Sequence, residues 1–401
     1  MNQDRRQQQQ FKYVQPGALI LGVVALGVAI AGAFLDLEHF FRAYLVAFLY
    51  WMGIALGCLA LLMLHHLVNG TWGFAVQRLF AAGARTLPLM AVLFLPLIFG
   101  ITYLYPWSVQ DAAAGEELLL QKSLYLNVPF FLIRAAIYFI VWIGLAFTIT
   151  RWSYRNDVVG EEALLWRTQR LSAFGLIFFV VTASLAAIDW SMSLEPNWFS
   201  SVYGWLFIAR EALGALALAI AILGLLWRRP PLSGIVTPRL LNDLGNLLLA
   251  LLLTWAYLAF IQYLVIWYGN IPEEVVWYAK RTVAGWQWVA LSLVVLHLAM
   301  PAVLLLFREN KRRMVILSAI AGLIVLMRLA DIFWVVMPSF LLILSFHWLD
   351  IVLPVALGGL WITVFLWQLK QHSLLPLNHP KLLEVMEQQR RERYEIARDP
   401  S

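Results

Sequence analysis

Cysteine is almost absent: Cys58 is the only one in 401 residues. That excludes a disulfide within the chain, a CxxCH haem attachment and a cysteine-held iron-sulfur cluster. Charge is scarce too, at 13% of residues against 62% hydrophobic, which excludes a water-soluble globule. Also missing are the alternating strands of a membrane barrel, a phosphate-binding glycine loop, an HExxH helix and a GxSxG elbow. These absences leave a helical membrane protein that is not expected to be an enzyme by itself.

What is present is a series of ten apolar runs, each long enough to cross a hydrocarbon core of roughly 30 Å at about 1.5 Å per residue. They are read at about 17–34, 43–67, 86–105, 129–150, 171–188, 199–226, 240–267, 283–306, 314–337 and 351–369. The first follows a polar arm without a convincing small-residue cleavage site, so it is expected to stay as a helix. Of the 29 Lys and Arg, 22 fall in the segments on one side of this arrangement, the side shared by both chain ends. The positive-inside rule makes that side cytoplasmic. The net charge of +6 therefore reports topology and a membrane surface, with no nucleic acid implied.

The expected architecture is all-α and polytopic. It has two four-helix bundles, spans 2–5 and 6–9, plus two flanking helices, with both termini cytoplasmic. A cytoplasmic arm (1–16) precedes the membrane domain (17–370), and a cytoplasmic tail (371–401) follows. Residues 106–128, with Asp111, Glu116 and Glu117, are read as a short helix on the outer surface, and 381–398 as a helix on the inner surface or a solvated one. Trp51, Trp107, Trp190, Trp198, Trp267, Trp277 and Trp361 fall at span ends, where indole rings suit the headgroup region.

Ionisable groups within a bilayer cost a few kcal/mol each, so they face a bundle interior and pair there or line a water path. Arg328 and Asp331 share a helical face in the outer half of span 9. Arg210 and Glu211 occupy a similar depth in span 6 but point about 100° apart, so each needs a partner on another helix. We expect these four to form either one network, with Asp189 as its exit, or separate structural pairs. Glu211 shares its face with Gly204, Gly214 and Ala215, small residues that admit a close neighbour. An inner set is expected from His65, His66, Asn242, Asp243 and His297. Pro301 withholds the N–H that would bond the His297 carbonyl. Imidazoles suit proton transfer near neutral pH, although His65 and His66 are close enough to the interface to be hydrated. A bis-histidine haem would have to draw on His297 with His65 or His66, and on His39 with His347. No cofactor is expected on this chain.

The segments "AYLVAFLYWMGIALGCLALLMLHHLVNGTWG" (43–73), "RTLPLMAVLFLPLIFGITYLYPW" (85–107), "DWSMSLEPNWFSSVYGWLFIAR" (189–210) and "RLADIFWVVMP" (328–338) resemble the F-type subunit (ActF) of bacterial alternative complex III. That complex is a quinol:cytochrome c oxidoreductase, and its F subunit is similar to the NrfD/PsrC type of membrane subunit. The likeness covers nearly the whole chain. It implies a ten-helix subunit without its own redox centre, in a bacterial cytoplasmic membrane. It further implies a multihaem cytochrome c, an iron-sulfur subunit, a monohaem cytochrome c and a sister NrfD-like subunit (ActC) that holds the quinol. Haems c and clusters would then lie in those partners, and this chain would contribute a proton path. Two other readings remain open: that this chain itself binds quinol, or that it is a stand-alone secondary transporter.

Overall fold

The computed structural model describes residues 13–109 and 121–376. The expected arm up to residue 12, the loop acids Asp111, Glu116 and Glu117, and the tail from 377 lie outside the described residues. Ten helices are long and apolar enough to cross a membrane, at the ten expected places. We number them α1 (Val14–Ala33), α2 (Leu37–Val68), α3 (Gln77–Phe99), α4 (Val128–Val159), α5 (Glu162–Leu194), α6 (Tyr203–Leu226), α7 (Pro238–Gly269), α8 (Trp286–Leu306), α9 (Met314–Ser339) and α10 (Leu349–Lys370).

Local chemistry sets the ends of three of the long helices, α2, α4 and α7. Each opens on a side-chain cap: Asp36, Asn127 and Thr237 accept from the backbone N–H of His39, Phe130 and Leu240. Each closes on a left-handed residue, Asn69, Gly160 and Asn270. At 32 residues and about 1.5 Å per residue these helices outreach a hydrocarbon core of roughly 30 Å. Hence 151–170, read as a loop, is helical almost throughout, broken only by the turn at Gly160.

The most buried helix is α2, which packs against α3, α5, α6, α9 and α10. Its seam with α6 is close because Gly57 lies on the backbone carbonyl of Glu211, where any Cβ would collide. A second backbone-to-backbone approach is Gly22 of α1 against Gly359 of α10. It holds α1, most of whose surface is exposed, onto the body.

The tryptophans depart from the expected belt. Trp107, Trp190, Trp198, Trp277 and Trp361 are buried and Trp51 is half-buried; of the seven only Trp267 is exposed. They pack helix ends together, as where Trp198 stacks on Trp277 with ring centroids 4.8 Å apart. The loop between α7 and α8 carries a further helix, Pro272–Arg281, whose polar exposed face hid it from a search for apolar runs.

Candidate functional site

Asp331 is the centre of the interior polar cluster. Arg328, one turn earlier on α9, donates to its carboxylate, as the i, i+3 spacing predicts. Arg210 of α6 donates from the other side, Nε to Oδ2 at 3.1 Å and Nη2 to Oδ1 at 3.5 Å. All three side chains are buried. The carboxylate thus bridges two helices and offsets part of the charge of two guanidiniums.

The Glu211 side chain packs against Gly53 of α2. It is buried, and neither carboxyl oxygen has a hydrogen-bond partner among the described residues. It lines a cavity of about 10 Å³ with Tyr50, Arg210 and Arg328. That is room for about one water molecule. The close neighbour expected on the face of Glu211 is therefore α2, while Gly204 meets Ser184 of α5 and Gly214 lies beside Arg328.

His297 sits on a π-helical stretch of α8, Leu293–Ala299, a wide turn of a kind frequent at functional sites. It is fully buried, its ring edge-on to Trp255 at 4.5 Å, and both ring nitrogens lack a hydrogen-bond partner among the described residues. It lies in the electrostatic field of Asp331, Arg328 and Arg210. This corrects the expectation that His297 belongs with the inner set. Eleven residues in from Trp286, it stands near the level of Asp331, eight residues before Ser339.

Asp189 does not join this cluster as its exit. It accepts a bidentate pair from Arg134 of α4, at 2.8 and 2.9 Å, and the hydroxyl of Tyr138 at 2.8 Å. Arg134 is further fixed by the Tyr125 carbonyl and by the ring of Tyr125 beneath it. This is a self-contained bond between α4 and α5.

His65 and His66 are buried rather than hydrated. His65 is enclosed by Trp72, Phe74 and the backbone of Gly73. His66 receives the Gln77 amide at 3.5 Å; Gln77 and Arg78 both donate to Ser153, and Arg78 pairs with Asp157. Asn242 and Asp243 are half-buried at the start of α7. No hydrogen bond among the described residues joins either to His65, His66 or His297. The structure thus gathers Arg210, Glu211, Arg328, Asp331 and His297 in one place, and leaves Asp189, His65, His66, Asn242 and Asp243 apart from it.

Beside the cluster, α6 to α9 enclose a cavity of about 340 Å³. Arg210, Asp331 and Gln262 supply its polar lining, and Trp255, Tyr278 and Trp334 its aromatic walls. Phe260 and Val294, exposed on the apolar surface of α7 and α8, stand at its edge. Sequence reasoning missed Trp255 and also Gly53 and Gly57. The last two form a small-xxx-small pair that marks a close helix contact.

Also missed was a polar knot between the loops after α5 and α7 and the end of α9. Glu195 accepts from Arg281 at 2.9 Å, Lys280 at 3.0 Å and Ser339 at 2.8 Å, and Arg281 lies over the Trp277 ring. Burial pushes the Glu195 carboxyl up, but Arg281 and Lys280 outweigh it and hold the group below its ordinary value of 4.5. A depressed carboxyl contributes stability that is complete above the unfolded value and lost as pH falls through the folded one. Glu195→Gln is therefore expected to lower the unfolding temperature at pH 7. Its curve should merge with that of the unmodified protein only once pH has fallen through the depressed folded value, below 4.5, which thermal unfolding across pH would check.

Among the described residues no three His, Cys, Asp or Glu side chains lie close enough to hold a metal ion. His39 and His347 touch, centroids 4.4 Å apart, and His39 donates to Asp350, so no porphyrin fits between them. No protein-family model matches the chain, and no curated protein matches it.

Proposed function

We propose that this chain is a membrane subunit of a quinol:cytochrome c oxidoreductase of the alternative complex III type, one that carries protons rather than electrons. In this reading α2–α5 and α6–α9 are two four-helix bundles joined along the α2–α6 seam, with α1 and α10 flanking. Both termini face the cytoplasm of a bacterium, as the 22 Lys and Arg on that side favour. The partners are a multihaem cytochrome c, an iron-sulfur subunit, a monohaem cytochrome c and the sister subunit ActC, which hold the haems, clusters and quinol. The motifs at 43–73, 85–107, 189–210 and 328–338 support the resemblance on which this rests.

One observation carries the proton reading. On either side of the Arg210–Asp331–Arg328 bridge lies a buried group without hydrogen-bond partners among the described residues, Glu211 towards α2 and His297 towards α7. Groups that build structure satisfy their hydrogen bonds, whereas groups that exchange protons need a vacant lone pair and access to water. The water-sized cavity supplies that access at Glu211, and the larger one reaches Asp331 and the neighbours of His297 on α8, Leu293, Val294 and Leu298.

Glu211→Gln tests it. The amide breaks no hydrogen bond, so stability is expected to change by about 1 kcal/mol or less. In vesicles the assembled complex should oxidise quinol but release fewer protons per electron. Normal turnover with unchanged proton stoichiometry would remove Glu211 from the path.

The 340 Å³ cavity favours a second reading, in which this chain itself binds quinol: aromatic walls suit a flat ring, and Arg210, Asp331 and Gln262 suit its oxygens. A photoreactive quinone analogue that labels α7 or α8 of this chain would support it; labelling of the sister subunit alone would refute it.

A further inference from the structure

At the Lys/Arg-rich end of the bundle, the end of α6 and the beginnings of α7 and α9 enclose a cavity of about 490 Å³. Its walls include Trp227, Val315 and Ile316, and its rim carries Arg228, Arg312 and Arg313. The three arginines are exposed, and among the described residues no carboxylate pairs with any of them. Arg228 lies over the Trp227 ring, 5.0 Å from its centroid.

Each part points to the same ligand chemistry. Three unpaired guanidiniums at one rim call for an anion, and their planar forks suit phosphate oxygens. The walls below are apolar and continue onto the exposed apolar surface of α9 at Val315. A soluble phosphate would use the rim and leave the walls bare. A tryptophan stacked under an arginine at the end of a span marks the headgroup level. Basic pockets between helix ends on this side of a membrane hold anionic lipid headgroups.

We propose that this cavity is a specific site for an anionic phospholipid. Its phosphodiester lies against Arg228, Arg312 and Arg313, and an acyl chain runs down Trp227, Val315 and Ile316. The lipid ties the α6–α7 turn to the start of α9 and fixes the ends of the two helices that carry Arg210 and Asp331. The site does not depend on the proposed role in quinol oxidation.

The full-length protein is extracted gently and its retained lipids are measured by native mass spectrometry. Added phosphatidylglycerol, phosphatidylcholine and inorganic phosphate are then compared by the shift each produces in the unfolding temperature. Phosphatidylglycerol is expected to be retained and to stabilise, the other two not. Each arginine at a membrane surface is worth about fivefold in affinity for an anionic lipid. The triple variant Arg228→Gln/Arg312→Gln/Arg313→Gln should therefore bind on the order of 100-fold more weakly. Val315→Trp, which fills the wall and keeps all three charges, should also expel the lipid, so the test survives if the triple variant does not fold. Equal stabilisation by phosphatidylcholine, an equal effect of phosphate alone, or undiminished retention in a folded variant would overturn the proposal.

Discussion

Asp331→Ala is expected to destabilise the protein by about 3–5 kcal/mol, the cost of breaking a buried ion pair by removing one partner. The change deletes the acceptor shared by Arg210 and Arg328 and leaves two guanidiniums facing each other among apolar helices. Asp331→Asn, which keeps one acceptor oxygen, should fall in between. The diagnostic control replaces all three residues, Arg210→Met/Arg328→Met/Asp331→Leu, and is expected to recover most of the loss because no buried charge is stranded. Unfolding temperature in detergent reads all three; a stable Asp331→Ala protein would mean that water reaches both arginines. This sets Asp331 apart from Glu211: its substitution disturbs the fold, so a lost proton signal in Asp331→Asn carries no information about a path.

Arg134→Ala should have a comparable effect, again about 3–5 kcal/mol, for a different reason. Here the stranded group is an anion. Asp189 loses both arms of a bidentate donor and keeps the Tyr138 hydroxyl, deep between α4 and α5. Asp189→Ala alone is expected to cost less, because Arg134 retains the Tyr125 carbonyl and the ring beneath it. The double variant should be less destabilised than the sum of the two singles, a coupling that a double-mutant cycle measures directly. Additive losses would show that the pair is solvated.

The spans were legible because hydrocarbon selects strongly for apolar runs, and the ends were not, because a helix need not stop where the bilayer does. Residues 151–159 and 162–170 are polar and helical at once. In the interior, depth was readable and direction was not. Arg134, Arg210 and Arg328 all stand in the same half of the bundle, so depth alone permits either Asp189 or Asp331 as partner for each. The i, i+3 pair on α9 was visible because both members share one helix. The choice of Arg134 for Asp189 depends on which way α4 and α5 are turned. His297 was misassigned for a related reason. The buried residues Leu293, His297, Pro301 and Leu305 recur every fourth position, too long a repeat for a straight α-helix, and the wide turn before Pro301 absorbs the difference. Glu195 and Arg281 gave no signal, because two loops separated by two spans, α6 and α7, show no trace in sequence of meeting.

The contact between α1 and α10 makes the described chain a closed circuit. Gln15 accepts from Lys370 at 2.7 Å and its amide reaches the Thr363 carbonyl at 3.4 Å, so the first and last spans are joined as neighbours. The place where the chain is cut is thus not fixed by the packing. A rearranged gene that links the two ends on their shared side and opens the circuit in a loop at the opposite end of the bundle would keep every helix against its present neighbours.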